Sequence, residues 1–142
     1  MKKLLEIKEA LIKNEIKYKF IVISGNKKYK ELYNDITFFS KPIKYETILT
    51  EIGNTNCILD IVQEGQTGLT WRPFEALFFD KKLITTNKSI RDFDFYNKNN
   101  ILVLDDNYDE IISFLKLPYV KIDEKIKERY KLEYWIANFF ND

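Results

Sequence analysis

The chain has 142 residues, a hydrophobic fraction of 45%, an aromatic fraction of 15% and a net charge of +1. That is the length of one domain with enough apolar residues for a core, and no strong field to recruit nucleic acid or an anionic membrane. One cysteine excludes an internal disulfide, and its company of no histidines makes a zinc site, a histidine triad or a histidine general base untenable.

Residues 2–15 place Leu4, Leu5, Ile7, Leu11 and Ile12 at helical spacing. Glu6, Lys8 and Glu9 interrupt the apolar core that a signal peptide would need. Residues 18–24 are β-branched and aromatic, a strand stopped by Gly25 and Asn26. A short helix over 27–33 and a short strand over 36–39 follow, then a helix over 45–52 that Gly53 and Asn54 stop. Residues 57–62 read as a buried strand, 70–80 as a helix and 83–86 as a strand. Residues 90–100 are irregular and aromatic, with Phe93, Phe95 and Tyr96. A strand over 101–104 ends in Asp105 and Asp106, and a helix over 108–115 halts before Pro118. Residues 123–140 form a long last helix with Ile126, Tyr130, Tyr134, Trp135 and Phe139 as its apolar stripe.

Strands alternate with helices, and the strands are apolar throughout, as in a parallel sheet covered on both faces. The expected fold is α/β: a single Rossmann-like three-layer domain over residues 1–142, with a mostly parallel sheet. No apolar run is long enough to span a bilayer. The single cysteine suits a reducing cytosol.

Ligands of open parallel sheets bind at the carboxyl ends of the strands. Four such ends can be named. At the first, Ser24 and Gly25 can bring backbone close to a phosphate, with Lys27 and Lys28 just beyond; an ordinary turn with solvated lysines explains the same residues. The second, residues 63–77, joins strand, glycine-containing loop and helix, a layout that aims backbone N–H groups at an anion. Gly65 and Gly68 are three apart, with Gln66, Thr67 and Thr70 as side-chain partners, and neither the GxGxxG nor the P-loop pattern is present. Thr70 can cap the helix and Pro73 fits its first turn. Arg72 near a helix N-terminus is disfavoured by the dipole, and either a bound anion or an ion pair to Glu75 or Asp60 resolves that conflict. Glu75 can accept both hydroxyls of a ribose, or simply be a favourable first-turn acid. Trp71 can stack on a ligand or plug a partner interface.

Asp60 lies mid-strand and needs a partner; a structural carboxylate bonded to N–H groups of the following loop is favoured over a functional one. The third end, residues 86–88, carries Thr86, Asn87 and Lys88. At the fourth, Asp105 and Asp106 could bind a metal as in phosphoryl-transfer receivers, but Asp106 with Asn107 more simply caps the next helix. Cys57 reads as inert core.

The segments 58–61, 65–70, Arg72-x-x-Glu75-Ala76-Leu77 and 81–87 together resemble the C-terminal half of GT-B-type bacterial glycosyltransferases of capsular polysaccharide, exopolysaccharide and lipopolysaccharide synthesis. The resemblance implies a nucleotide-sugar donor site: Glu75 on the donor ribose, Gly65, Gln66, Thr67, Gly68, Thr70 and Arg72 around the diphosphate, and Gly25 approaching from the first strand. It implies no cofactor and no metal. Many retaining members carry a second glutamate closer to the first than Glu64 stands to Glu75, so Glu64 is not that residue. The family's N-terminal acceptor domain, which often holds a catalytic base, has no counterpart in these residues. The expected partners are therefore a nucleotide sugar and a missing acceptor domain or partner subunit, with no nucleic acid. The expected location is the cytoplasm, at the inner face of the membrane if the full-length protein associates there peripherally. The alternative is a non-catalytic Rossmann-like interaction domain using Trp71 and the aromatic C-terminal helix.

Overall fold

Apolar runs separated by turn residues fold as alternating helices and strands in the computed structural model of the chain. It describes every residue except Gly25, Glu64, Thr67 and 140–142, and of 132–139 only the helical backbone. In chain order the elements are α1 (Lys2–Lys13), β1 (Ile21–Ile23), α2 (Lys27–Leu32), β2 (Thr37–Phe39), α3 (Tyr45–Gly53) and β3 (Cys57–Asp60). They continue with α4 (Arg72–Phe78), β4 (Lys82–Thr85), a 3-10 helix (Lys88–Asp92), β5 (Ile101–Val103), α5 (Glu110–Lys116) and α6 (Glu124–Phe139).

Every strand pairing among the described residues is parallel. The hydrogen-bond ladder comes in two pieces, β1–β2 and β3–β4–β5, rather than one sheet. The apolar layer continues where the ladder does not: Val22 of β1 and Phe38 of β2 pack in the same cluster as Cys57 and Leu59 of β3.

The side-chain period of two divides β3–β4–β5 between two helical layers. Ile58, Leu83, Ile101 and Val103 face α3, α4 and α6, where Ile52, Ala76 and Leu77 are buried and Ile126 and Tyr130 pack against them. Leu59, Ile84 and Leu102 face α1 and α5, meeting Ile7, Leu11, Ile111 and Phe114. The result is the expected three-layer α/β arrangement with β4, buried along its whole length, at its centre. β3 is less completely buried than its sequence suggests, because Cys57 and Leu59 stay partly exposed.

Two features of the packing were not foreseen. Lys82 opens the buried strand β4, where an ammonium needs compensation. Its Nζ donates to the Phe114 carbonyl at 2.6 Å and lies 4.5 Å from the centre of the Phe114 ring. That carbonyl belongs to the last turn of α5, the negative end of the helix. Burial holds the Lys82 pKa below the usual lysine range, and burial pushes the neighbouring Cys57 thiol up to about 12, so that it stays protonated although the residue is partly exposed. At the end of α4, Asp80 takes a left-handed backbone (φ 52°) and the Lys81 N–H returns to the Ala76 carbonyl at 2.9 Å. The Asp80 carboxylate accepts from Lys127 at 2.6 Å and so fastens α6 to α4.

The C-terminal helix begins with Asp123 accepting the Lys125 N–H at 2.9 Å. Ile126 and Tyr130 of its apolar stripe face the core; the side chains of Tyr134, Trp135 and Phe139 lie outside the described residues. Asp106 and Asn107 do not cap α5. Asp109 stands at its N-cap without a side-chain bond, while Asn107 makes a turn by accepting the Asp109 N–H at 3.3 Å.

Leu83 is fully buried at the centre of the sheet, so Leu83→Ala should lower unfolding free energy by about 2–5 kcal/mol in urea titration. Tyr108 and Tyr119 carry phenol pKa values of about 12, Tyr108 chiefly because its hydroxyl donates to Glu6 and Tyr119 chiefly because it is buried. Both folded values exceed the ordinary phenol value of about 10. Their stabilising contribution is therefore complete below that pH and is lost as pH rises toward 12. Circular dichroism should show alkaline unfolding in that window, and the double change Tyr108→Phe with Tyr119→Phe should flatten the pH dependence.

Candidate functional site

The carboxyl ends of β3 and β4 meet the loop over residues 61–71, which leads into α4. β3 ends at Asp60, a residue 5% exposed, whose carboxylate is therefore obliged to find donors inside the protein. It finds two hydroxyls: Thr70 donates to one carboxylate oxygen at 2.8 Å and Thr85 to the other at 2.9 Å. Asp60 is thus structural, as expected, but its partners are threonines from the loop's far end and from β4 rather than N–H groups of the loop. Thr70 is committed to this bond and does not cap α4. The residue ahead of the helix is Trp71, which makes no side-chain cap, and Pro73 sits in the first turn as expected.

A second tie holds the middle of the loop. Asn87, just past β4, is buried and donates its side-chain N–H to the Gly68 carbonyl at 3.1 Å. Its own oxygen accepts from the N–H and hydroxyl of Ser89, at 3.0 and 2.7 Å. The loop's first residues are joined to β4 by Thr86, whose hydroxyl accepts the Val62 N–H at 3.0 Å. Within the loop, the Gln66 N–H turns back to the Gln63 carbonyl at 3.2 Å, and Gly65 adopts φ 85°, where a side chain is strained. Gly68 needs no special backbone, and a Cβ there would meet no atom within 4 Å. Gly25 and Thr67 lie outside the described residues, as does Glu64.

Beyond the loop, Arg72 and Glu75 stand one helical turn apart, and the Arg72 Nη1 donates to the Glu75 Oε2. The ion pair to Glu75 that the sequence allowed is formed. It is strongly asymmetric: the Glu75 side chain is 1% exposed and the Arg72 side chain 34%. Trp71 is 37% exposed and its ring centre is 6.3 Å from that of Phe74. Phe74 belongs to an aromatic cluster with Phe95 and Tyr130 at 6.1 and 5.8 Å, so it is core.

The structure ties Thr70 to Asp60 and Gly68 to Asn87 at the carboxyl ends of β3 and β4, and pairs Arg72 with Glu75 in the first turn of the helix that follows. Asn87 was read only as part of a strand end; its burial, two residues past β4, is what gives it a role. The acids of the receiver-like alternative are not assembled. Asp60 serves two threonines, Asp105 pairs with Lys88 at 2.7 Å and Asp106 with Lys3 at 3.9 Å. Among the described residues no three of His, Cys, Asp and Glu come together as a metal site. A shallow depression lined by Pro73, Leu77, Phe95, Tyr119 and Ile122 lies along α4, with a volume of about 10 Å³, far below ligand pockets of about 300–1,000 Å³.

No protein-family model, no curated protein and no solved structure matches the chain. Among the described residues, no helix is long and apolar enough to cross a membrane.

Removing the Asp60 carboxylate strands two hydroxyls, one of them on fully buried Thr85. Asp60→Ala should cost about 1–3 kcal/mol and loosen the loop, visible as faster amide hydrogen exchange at 61–71. The two glycines should separate in thermal melts: Gly65→Ala destabilising by about 1 kcal/mol and Gly68→Ala within about 0.5 kcal/mol of the parent.

Proposed function

We propose that this chain is the nucleotide-sugar donor-binding domain of a glycosyltransferase in bacterial surface polysaccharide synthesis. The observation that carries the reading is the Arg72–Glu75 pair at the carboxyl edge of a parallel sheet, beside a loop clamped at Gly68 and Thr70. A guanidinium matches phosphate oxygens, and a carboxylate matches the two hydroxyls of a ribose. Their spacing of one helical turn suits the two ends of a nucleoside diphosphate. The resemblance of residues 58–87 to the donor half of GT-B enzymes supports the assignment of Glu75 to ribose and of Gly65, Gln66, Gly68 and Arg72 to the diphosphate, with Thr70 holding the loop through Asp60.

In this reading the domain holds and orients the donor, and transfer needs an acceptor presented on an opposite wall that excludes water. A second domain or partner subunit supplies that wall and the catalytic base. The donor pool places the protein in the cytoplasm, and a lipid-borne acceptor would bring the full-length protein to the inner face of the membrane. No metal is required of this domain's residues.

Calorimetry with UDP, GDP and CMP tests the assignment. One of the three should bind the intact chain, and Glu75→Gln should weaken that binding by about tenfold or more, the scale of one charged hydrogen bond. A folded protein that binds none of them at millimolar concentration contradicts the donor site.

A further inference from the structure

We infer that the Arg72–Glu75 pair is a self-occupying latch, opened only by a ligand that brings an anion and a vicinal diol together. The inference rests on the donor-site reading above and adds how that site chooses among ligands.

The argument starts from burial. Glu75 is 1% exposed and its carboxylate accepts a hydrogen bond from Arg72, whose side chain is one-third exposed. A diol can take that carboxylate oxygen only if the guanidinium releases it. That movement leaves a buried carboxylate short of its countercharge, and removing one partner of a buried pair is far more costly than the pair itself is worth. A nucleoside alone replaces the lost charge with two neutral hydroxyls and gives Arg72 nothing. An anion alone draws Arg72 outward but leaves Glu75 uncompensated. A nucleoside diphosphate does both, and each half lowers the cost of seating the other. Anion and diol binding should therefore be positively coupled, and by linkage the coupling is reciprocal. The loop beside the pair is already fastened through Asp60–Thr70 and Asn87–Gly68, so the movement is confined to the Arg72 side chain.

The test uses the unaltered chain with uridine, guanosine and cytidine, each titrated with and without millimolar sodium pyrophosphate. Pyrophosphate should tighten the binding of the nucleoside whose diphosphate binds by about tenfold, within the usual range of coupling between sites. The nucleoside should tighten pyrophosphate by the same factor. Arg72→Gln should move two ligands in opposite directions, weakening the nucleoside diphosphate while strengthening the bare nucleoside. Independence of nucleoside and pyrophosphate, competition between them, or an Arg72→Gln variant that weakens both ligands alike overturns the latch. Should Arg72→Gln fail to fold, the coupling on the unaltered chain decides alone. Diphosphate binding without coupling removes the latch and leaves the donor site standing; absence of diphosphate binding removes both.

Discussion

Asp60 ends β3 with its carboxylate inside the protein, and much of the candidate site follows from satisfying it. A buried carboxylate without donors is not tolerated in an apolar layer. Its two donors come from Thr70, at the far end of the loop, and from Thr85, at the end of β4. One group thus fixes β3, β4 and the entrance to α4 relative to one another. Arg72 opens α4 two residues beyond Thr70, so the start of that helix is anchored through the same group. Asn87 repeats the device one strand end away by holding the Gly68 carbonyl.

The same logic runs through the rest of the fold. Each buried charge is placed where a fixed partner waits: Lys82 against the last turn of α5, Lys127 against Asp80 after α4, Glu75 against Arg72. These contacts join layers that the apolar clusters alone would leave free to slide, because apolar packing is indifferent to small shifts in register. Lys82 ties the sheet to α5 on one face, and Lys127 ties α6 to α4 on the other. The chemistry of the carboxyl edge is therefore built on a frame whose polar groups are spoken for, with Arg72 as the charged side chain of the candidate site that still reaches solvent.

Much of this frame was legible in the sequence. Alternating apolar runs and stop signals at Asn26, Gly53 and Asn54 gave strands and helices within a few residues of their observed ends, because local turn chemistry is encoded locally. The parity of Ile58, Leu83 and Ile101 against Leu59, Ile84 and Leu102 follows from the strand period, so three layers could be anticipated. The division of the ladder between β1–β2 and β3–β4–β5 could not, since strand adjacency is a tertiary fact. Thr70 was misread as a cap because nothing local reveals that Asp60, ten positions earlier, claims its hydroxyl. Asn107 was misplaced for a related reason: it shapes the turn ahead of α5 and leaves the cap to Asp109. At the site, Arg72–Glu75 pairing was one of two local possibilities, and only the folded structure shows that the Glu75 side chain is buried while Arg72 stays one-third exposed.

Amide chemical-shift mapping on the isotopically labelled chain puts the account to its most direct test. On titration with UDP, GDP or CMP, the account predicts that the nucleotide that binds shifts Gly65, Gly68, Arg72, Glu75 and Asn87 together, and leaves α1 and β1–β2 largely unmoved. Shifts confined to α1, α2 and β1–β2, or a folded protein in which no amide responds to any of the three, would contradict it.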